Sequence, residues 1–166
     1  MDEIPLSALL IVLVVLLAMS AFFSLSETAM MASNRFRLRH LAQSGHHGAQ
    51  KAVALLDKTD KMLGVILLGN NLINSASATL VGVITIDLFG EEKWALAAGT
   101  LAVTFAILVF SEITPKIIGA THADRLAIRL GYILTPLLRL FYPAVWFINL
   151  FASGLLRLIR LSPNTS

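Results

Sequence analysis

The stretch Phe110-Ser111-Glu112-Ile113-Thr114-Pro115-Lys116 lies inside an apolar run that extends from Trp94 to Ala120. A run of that length can cross a bilayer, so it carries a carboxylate and a proline to membrane depth. A carboxylate there is costly unless it faces a protein interior, a cavity or an ion. Pro115 has no N–H and clashes with the carbonyl at i−4, that of Ser111. A kink or break is therefore predicted at this point, leaving backbone carbonyls without intrahelical partners. Glu112 beside such carbonyls suits a hard cation. The competing reading is a helix that stops at the interface, with a solvated Glu112 and an ordinary stop proline.

Composition sets the class. Hydrophobic residues make up 57% of the 166 and charged residues 14%, with a mean hydropathy of +0.79. That is too apolar for a soluble domain of this size and predicts an all-α membrane protein in contact with the lipid bilayer. Cysteine is absent, which excludes a disulfide framework, a thiolate metal site and a thiol nucleophile. The net charge of +3 does not point to nucleic acid, because most of the basic residues flank apolar runs and read as topology signals.

Working back to the N-terminus, the acidic Met1-Asp2-Glu3 precedes an apolar run from Ile4 to Phe23. A secretory signal would carry a basic start and a shorter core, so this is read as a retained transmembrane helix, about 4–32. Its later part is polar in an organised way: Ser20, Ser24 and Glu27 share one helical face, with Ser26 and Thr28 close by. Small hydroxyl residues also let membrane helices pack closely; that accounts for the serines and leaves Glu27 unexplained. From Ser33 to Lys61 basic residues outnumber acidic ones, which predicts a cytoplasmic segment with two juxtamembrane helices, about 34–59, and an external N-terminus. A turn is expected at Gly45-His46-His47-Gly48, since adjacent histidines on a helix would diverge.

The second span, about 61–87, contains Gly69-Asn70-Asn71-Leu72-Ile73-Asn74-Ser75. Asn70 and Asn74 fall on one face and Asn71 with Ser75 on the adjoining one. Interhelical hydrogen bonding is one use for such amides; ion ligation is the other. The third span, about 93–114, runs inward through the opening stretch. The remainder, post-proline and belt helices at about 116–160, is read as an interfacial belt kinked at Pro136 and Pro143. Basic residues flank it at both ends, and there are few residues between Arg139 and Arg157. The expected architecture is thus three transmembrane helices with cytoplasmic juxtamembrane helices and an interfacial belt helix. Residues 162–166 form a linker-like tail on the cytoplasmic side, and its abrupt end is expected of a piece of a longer protein.

A depth estimate links the spans. At about 1.5 Å per residue, Ser24 lies about 16 Å from Arg35 and Asn70 about 14 Å from Lys61, and Glu112 reaches a comparable depth. Carboxylates, amide oxygens, hydroxyls and freed carbonyls form an all-oxygen set, suited to Mg²⁺, Ca²⁺ or Na⁺ rather than to zinc or copper. A broken helix at membrane depth is also how many secondary transporters hold a cation. The residues by themselves therefore indicate a cation transporter.

Three motifs, Ser24-Leu25-Ser26-Glu27-Thr28-Ala29, Gly69-Asn70-Asn71-Leu72-Ile73-Asn74 and Ser111-Glu112-Ile113-Thr114-Pro115-Lys116, together resemble the transmembrane domain (DUF21) of the cyclin M / CorC magnesium transporters. The resemblance covers essentially the whole chain. It implies a homodimer in the cell membrane that exports Mg²⁺ in exchange for Na⁺. It also implies an ion held by Ser24, Asn70 and Glu112 with backbone oxygens near Gly69 and Pro115. Ser26, Glu27 and Asn74 complete the candidate metal set. Glu27 has two readings, a ligand for the coupling Na⁺ or a hydrogen-bond partner of the broken backbone. Family members usually continue into cytoplasmic CBS-type regulatory domains, which this sequence lacks.

Two other classes compete. A membrane serine hydrolase using Ser111 and His122 lacks any Gly-x-Ser-x-Gly context, so no enzyme activity is expected. A non-transporting magnesium sensor or scaffold remains the alternative, since a bound ion proves neither flux nor direction.

Overall fold

The computed structural model describes residues 5–159. Residues 1–4 and 160–166, with the linker tail at 162–166, lie outside the described residues. Every regular element among the described residues is helical. In a bilayer each backbone amide must be satisfied within its own segment, which a helix achieves whatever the side chains. For that reason the β-branched run Ile11-Val12-Leu13-Val14-Val15 is helical here.

Helix α1, Leu6–Ala32, ends where Ser33 and Asn34 become extended. The Ser33 hydroxyl donates to the Met30 carbonyl, and the Asn34 side chain accepts the amides of Phe36 and Arg37. That cap opens α2, Arg35–Gln43. Gly45, at φ +96°, turns the chain, and His46 caps α3, His47–Leu56, by accepting the Ala49 amide. Helix α4, Thr59–Phe89, stops at Gly90, also at positive φ. Helix α5, Lys93–Ala106, passes into a π-helical segment, Ile107–Ile113, then α6, Thr114–Thr121, and α7, Ala123–Leu158.

Two expectations are corrected. Pro115 does not break the helix: Lys93–Thr121 is one continuous helical run. The wider π turn replaces a break. The Thr114 amide reaches back to the Val109 carbonyl, five residues away, and Pro115 follows in the first turn of α6, so the gap in the hydrogen-bond ladder is confined to its own missing N–H.

The second correction concerns the belt. Four helices, not three, are long and apolar enough to cross a membrane: Leu6–Ala32, Thr59–Phe89, Lys93–Thr121 and Ala123–Leu158. The chain is a multi-pass membrane protein. Pro136 and Pro143 lie inside α7 without ending it. Neighbouring helices and hydroxyl side chains make such prolines tolerable in membranes; here the Thr135 hydroxyl donates to the Gly131 carbonyl one turn back.

At 36 residues, α7 is about 54 Å long, well beyond the roughly 30 Å hydrocarbon core. Its first half lies along α3, where Gly131 meets the Gly48 carbonyl and the Ala52 amide nitrogen. Its second half runs beside the start of α4 in the same direction: Lys61 sits over the Tyr142 ring, and Val145 presses on Gly64 one turn further along. Four crossings would return the end of α7 to the side of Pro5. A cysteine at Leu158 is therefore expected to label from the same face as one at Glu91, and one at Ser44 from the opposite face. Labelling of Leu158 together with Ser44 would restore the interfacial belt.

The closest packing is concentrated where these short helices meet the ends of the spans. Met30, Leu38, Ala52, Met62, Ile66 and Ala127 are almost completely buried and belong to one cluster. Further along α1, Ile11, Val14 and Val15 are exposed. Lipid tails are as apolar as these side chains, so nothing drives them inward.

Candidate metal site

The site forms where α1 is flanked by α4 on one side and by the π segment with α6 on the other. Close approach is permitted by glycine on both sides. The Phe23 ring occupies the place of a Gly69 side chain, where a Cβ would fall 2.6 Å from Phe23 Cζ, and a Cβ on Gly119 would fall 2.9 Å from the Leu25 carbonyl oxygen.

Between α1 and α4, Ser20 Oγ lies 2.9 Å from Asn70 Oδ1 and 2.7 Å from Asn74 Oδ1. One hydroxyl proton serves one of these acceptors, so the other amide must turn its NH₂ inward or share a cation. Ser20 was not in the candidate set. The signal was present, since it stands one turn before Ser24 on the same face. The estimate from the ends of the helices set Ser24 opposite Asn70. In the structure Ser20 holds that place and Ser24 lies one turn nearer the α2 end. The count assumed helix up to Arg35, whereas α1 stops at Ala32 and the next two residues are extended.

Ser24 is 1% exposed, and its Oγ is buried without a hydrogen-bond partner. The contrast with its neighbour is informative. Ser26, also buried, donates to the Phe22 carbonyl one turn back, as hydroxyls in membrane helices commonly do. Leaving a buried hydroxyl unsatisfied costs about 1–3 kcal/mol, so the free oxygen of Ser24 is the one polar atom here that calls for a ligand. Glu27 is half-buried, about a turn further along α1.

On the other flank, the buried Ser111 donates to the Leu17 carbonyl at 2.9 Å, tying the π segment to α1. Gly119 meets α1 at Leu25 and Ala29. Pro115, midway between Ser111 and Gly119 and itself buried, therefore falls near the level of Ala21 to Ser24. Because proline brings no donor to this turn, a carbonyl of the π segment loses the amide that would otherwise reach it. Glu112 is half-buried, and its Oε2 lies 3.7 Å from Lys116 Nζ. The carboxylate thus has an ammonium beside it, and its recorded ion pair is within its own helix, not with Ser24 or Asn70.

The structure therefore brings Asn70, Asn74 and Ser20 into contact, with Gly69 beside Asn70 and Ser24 one turn along α1, whereas Pro115 shares only their height, on the other flank of α1. Glu112 stays with Lys116 on its own helix. Among the described residues, no three His, Cys, Asp or Glu side chains converge, so the candidate ligands are hydroxyls, amides, carbonyls and the separate carboxylates of Glu27 and Glu112. Such a set suits a hard cation that keeps part of its water. The hydrolase pairing gains no support from geometry, since Ser111 is spent on Leu17 and His122 is exposed at the far end of α6.

Residues 11–166 match the family model described as the cyclin M transmembrane N-terminal domain. A UPF0053 protein of Haemophilus influenzae is 45% identical over 97% of this chain and 38% of its own length. The UPF0053 inner membrane protein YfjD of Escherichia coli is 40% identical over 84% of the chain and 32% of its own length. A polyamine export protein of Escherichia coli is 28% identical over 92% of the chain and 36% of its own length. The chain thus spans less than two-fifths of these relatives. With the family model covering nearly its whole length, the chain belongs to the cyclin M transmembrane N-terminal domain family.

Proposed function

We propose that this chain is the membrane part of a Mg²⁺ exporter that uses Na⁺ as the exchanging ion, and that it is not an enzyme. The observation that carries the reading is the unpartnered Oγ of Ser24, buried beside the Ser20–Asn70–Asn74 cluster. The cargo ion is held by Ser24, Asn70 and the backbone oxygens near Gly69 and Pro115, with Glu112 supplying the negative charge. Glu27, on the same face of α1, is the candidate ligand for Na⁺. Lys116, 3.7 Å from Glu112 on the same helix, competes with the ion for that charge.

A competing tethered ammonium lowers apparent affinity for the cargo. Lys116→Met is accordingly expected to bind Mg²⁺ several-fold more tightly by calorimetry, and weaker binding would assign Lys116 a supporting role instead. The basic α2–α3 segment faces the cytoplasm by the positive-inside rule, which puts the N-terminus outside and makes α2 and α3 juxtamembrane helices.

The protein works as a homodimer. Of the glycines that the sequence offers for helix contact, Gly64 and Gly99 already pack within this chain, whereas Gly82 faces open space. Gly82, within α4, is therefore free to meet a partner subunit.

A second cargo is favoured by a specific observation, the relatives named polyamine export proteins. An organic polycation would also be attracted by Glu112 and by the amide oxygens. Proteoliposome flux separates the readings. Mg²⁺ movement that depends on an opposing Na⁺ gradient supports the first, and flux of a polyamine without Mg²⁺ the second. Binding of Mg²⁺ with no flux of either would leave a sensor or scaffold.

A further inference from the structure

The seam between α4 and α7 lies apart from the ion site and changes character along its length. At one end Lys58, Lys61, Leu138, Arg139 and Tyr142 line a cleft of about 330 Å³. Three cations share it, and no carboxylate lines it. Asp57 instead lines a separate cleft with Arg35 and Arg39. The salt bridges among the described residues, Arg37 with Asp124 and Lys116 with Glu112, involve none of the three. Lys61 is steadied by stacking at 4.8 Å over the Tyr142 ring.

One turn further on, the same two helices flank a mainly apolar groove of about 340 Å³ walled by Gly64, Leu67, Leu68, Leu72, Val145 and Ile148, with Asn71, Ser75 and Asn149 also in its lining. The two hollows follow each other because α4 and α7 run side by side, Lys61 with Tyr142 and then Gly64 with Val145. From Lys61 to Leu72 the rise is about 16 Å, close to half of a roughly 30 Å hydrocarbon core.

We propose that this seam binds one anionic phospholipid, its phosphate held by Lys58, Lys61 and Arg139 and one acyl chain lying in the groove beyond Gly64. Unpaired cations beside an aromatic ring at the end of a span attract an anionic headgroup. The groove of matching length explains why a lipid fits better than a soluble anion. The site also explains why Lys58, Lys61 and Arg139 converge although each lies far from the ion-binding region. A lipid there bridges α4 to α7 along the seam.

Native mass spectrometry of the purified chain in detergent tests this, using phosphatidylglycerol and phosphatidylcholine with the same acyl chains. The parent is expected to retain one phosphatidylglycerol in preference to phosphatidylcholine, and affinity should fall about fivefold for each of Lys58→Gln, Lys61→Gln and Arg139→Gln. Arg35→Gln with Arg39→Gln, equal in charge change to two of these, should leave the bound lipid in place. If one single variant unfolds, the other two give the same comparison. Equal retention of both lipids by the parent would overturn the proposal, as would an equal loss in the Arg35 and Arg39 control. Glycerol 3-phosphate displacing the lipid at similar concentration would also overturn it, by reducing the site to a phosphate cleft.

Discussion

Asn70→Ala is expected to abolish Na⁺-dependent Mg²⁺ flux and to weaken Mg²⁺ binding by about 100-fold, at or beyond the loss typical when a metal's supporting contacts are removed. The substitution deletes an amide oxygen from the Ser20–Asn70–Asn74 cluster and leaves the Ser20 hydroxyl with Asn74 alone. Ser24→Ala should behave alike in binding but differently in stability. In the parent the Ser24 hydroxyl is buried and unsatisfied, so its removal relieves a cost of about 1–3 kcal/mol in the ion-free protein. Lower affinity together with a raised unfolding temperature without Mg²⁺ is the signature of a ligand; a packing hydroxyl would not combine the two. Glu112→Gln keeps the shape and removes the charge, so binding should weaken while the fold persists. Asn71→Ala, on the exposed neighbouring face of α4, is the control. Unchanged Mg²⁺ binding in well-folded Asn70→Ala and Ser24→Ala would remove the basis of the proposed site.

Gly119→Val is expected to lower the unfolding temperature in detergent on the order of 5 °C, and to reduce flux as well. A Cβ at this position would lie 2.9 Å from the Leu25 carbonyl oxygen and 3.2 Å from the Ala29 amide nitrogen. Both are backbone atoms, so α6 must move away from α1 as a body. Overpacking of this kind costs about 1–3 kcal/mol, and each kcal/mol shifts the melting of a domain of this size by about 2–4 °C. Displacing α6 also carries Pro115 and Glu112 away from Ser24, which is why the ion site should suffer with the fold. Gly154→Val makes the matched comparison, because nothing lies within 4 Å of a Cβ there. Equal melting temperatures for the two variants would show that α6 does not depend on this contact.

Much of the architecture was open to sequence reasoning because each signal was local. The apolar runs that became α1, α4 and α5–α6 are visible as lengths, since the bilayer fixes how many helical residues are needed. The two short helices between α1 and α4 follow from the basic stretch around Arg35 to Lys58 and the Gly45 turn, and the cap at Asn34 is a matter of adjacent residues. The polar faces carrying Ser24, Glu27, Asn70 and Asn74 follow from helical periodicity alone. Even Ser20 was within reach, one turn from Ser24.

What tertiary structure decided were the questions that depend on more than one helix. The partner of Asn70 is Ser20, because the relative sliding of α1 and α4 is set by Phe23 seating on Gly69, a contact no single span encodes. The continuity of the helix through Pro115 rests on the π turn and on Ser111 bonding to the Leu17 carbonyl of α1. A proline rule applied to one helix predicts a break instead. Likewise Pro136 and Pro143 do not say by themselves whether a helix continues; α7 runs through both with α3 and α4 alongside, Gly131 against Gly48 and Val145 against Gly64. Sequence spacing gives which residues share a face; only packing between helices gives which faces meet and at what height.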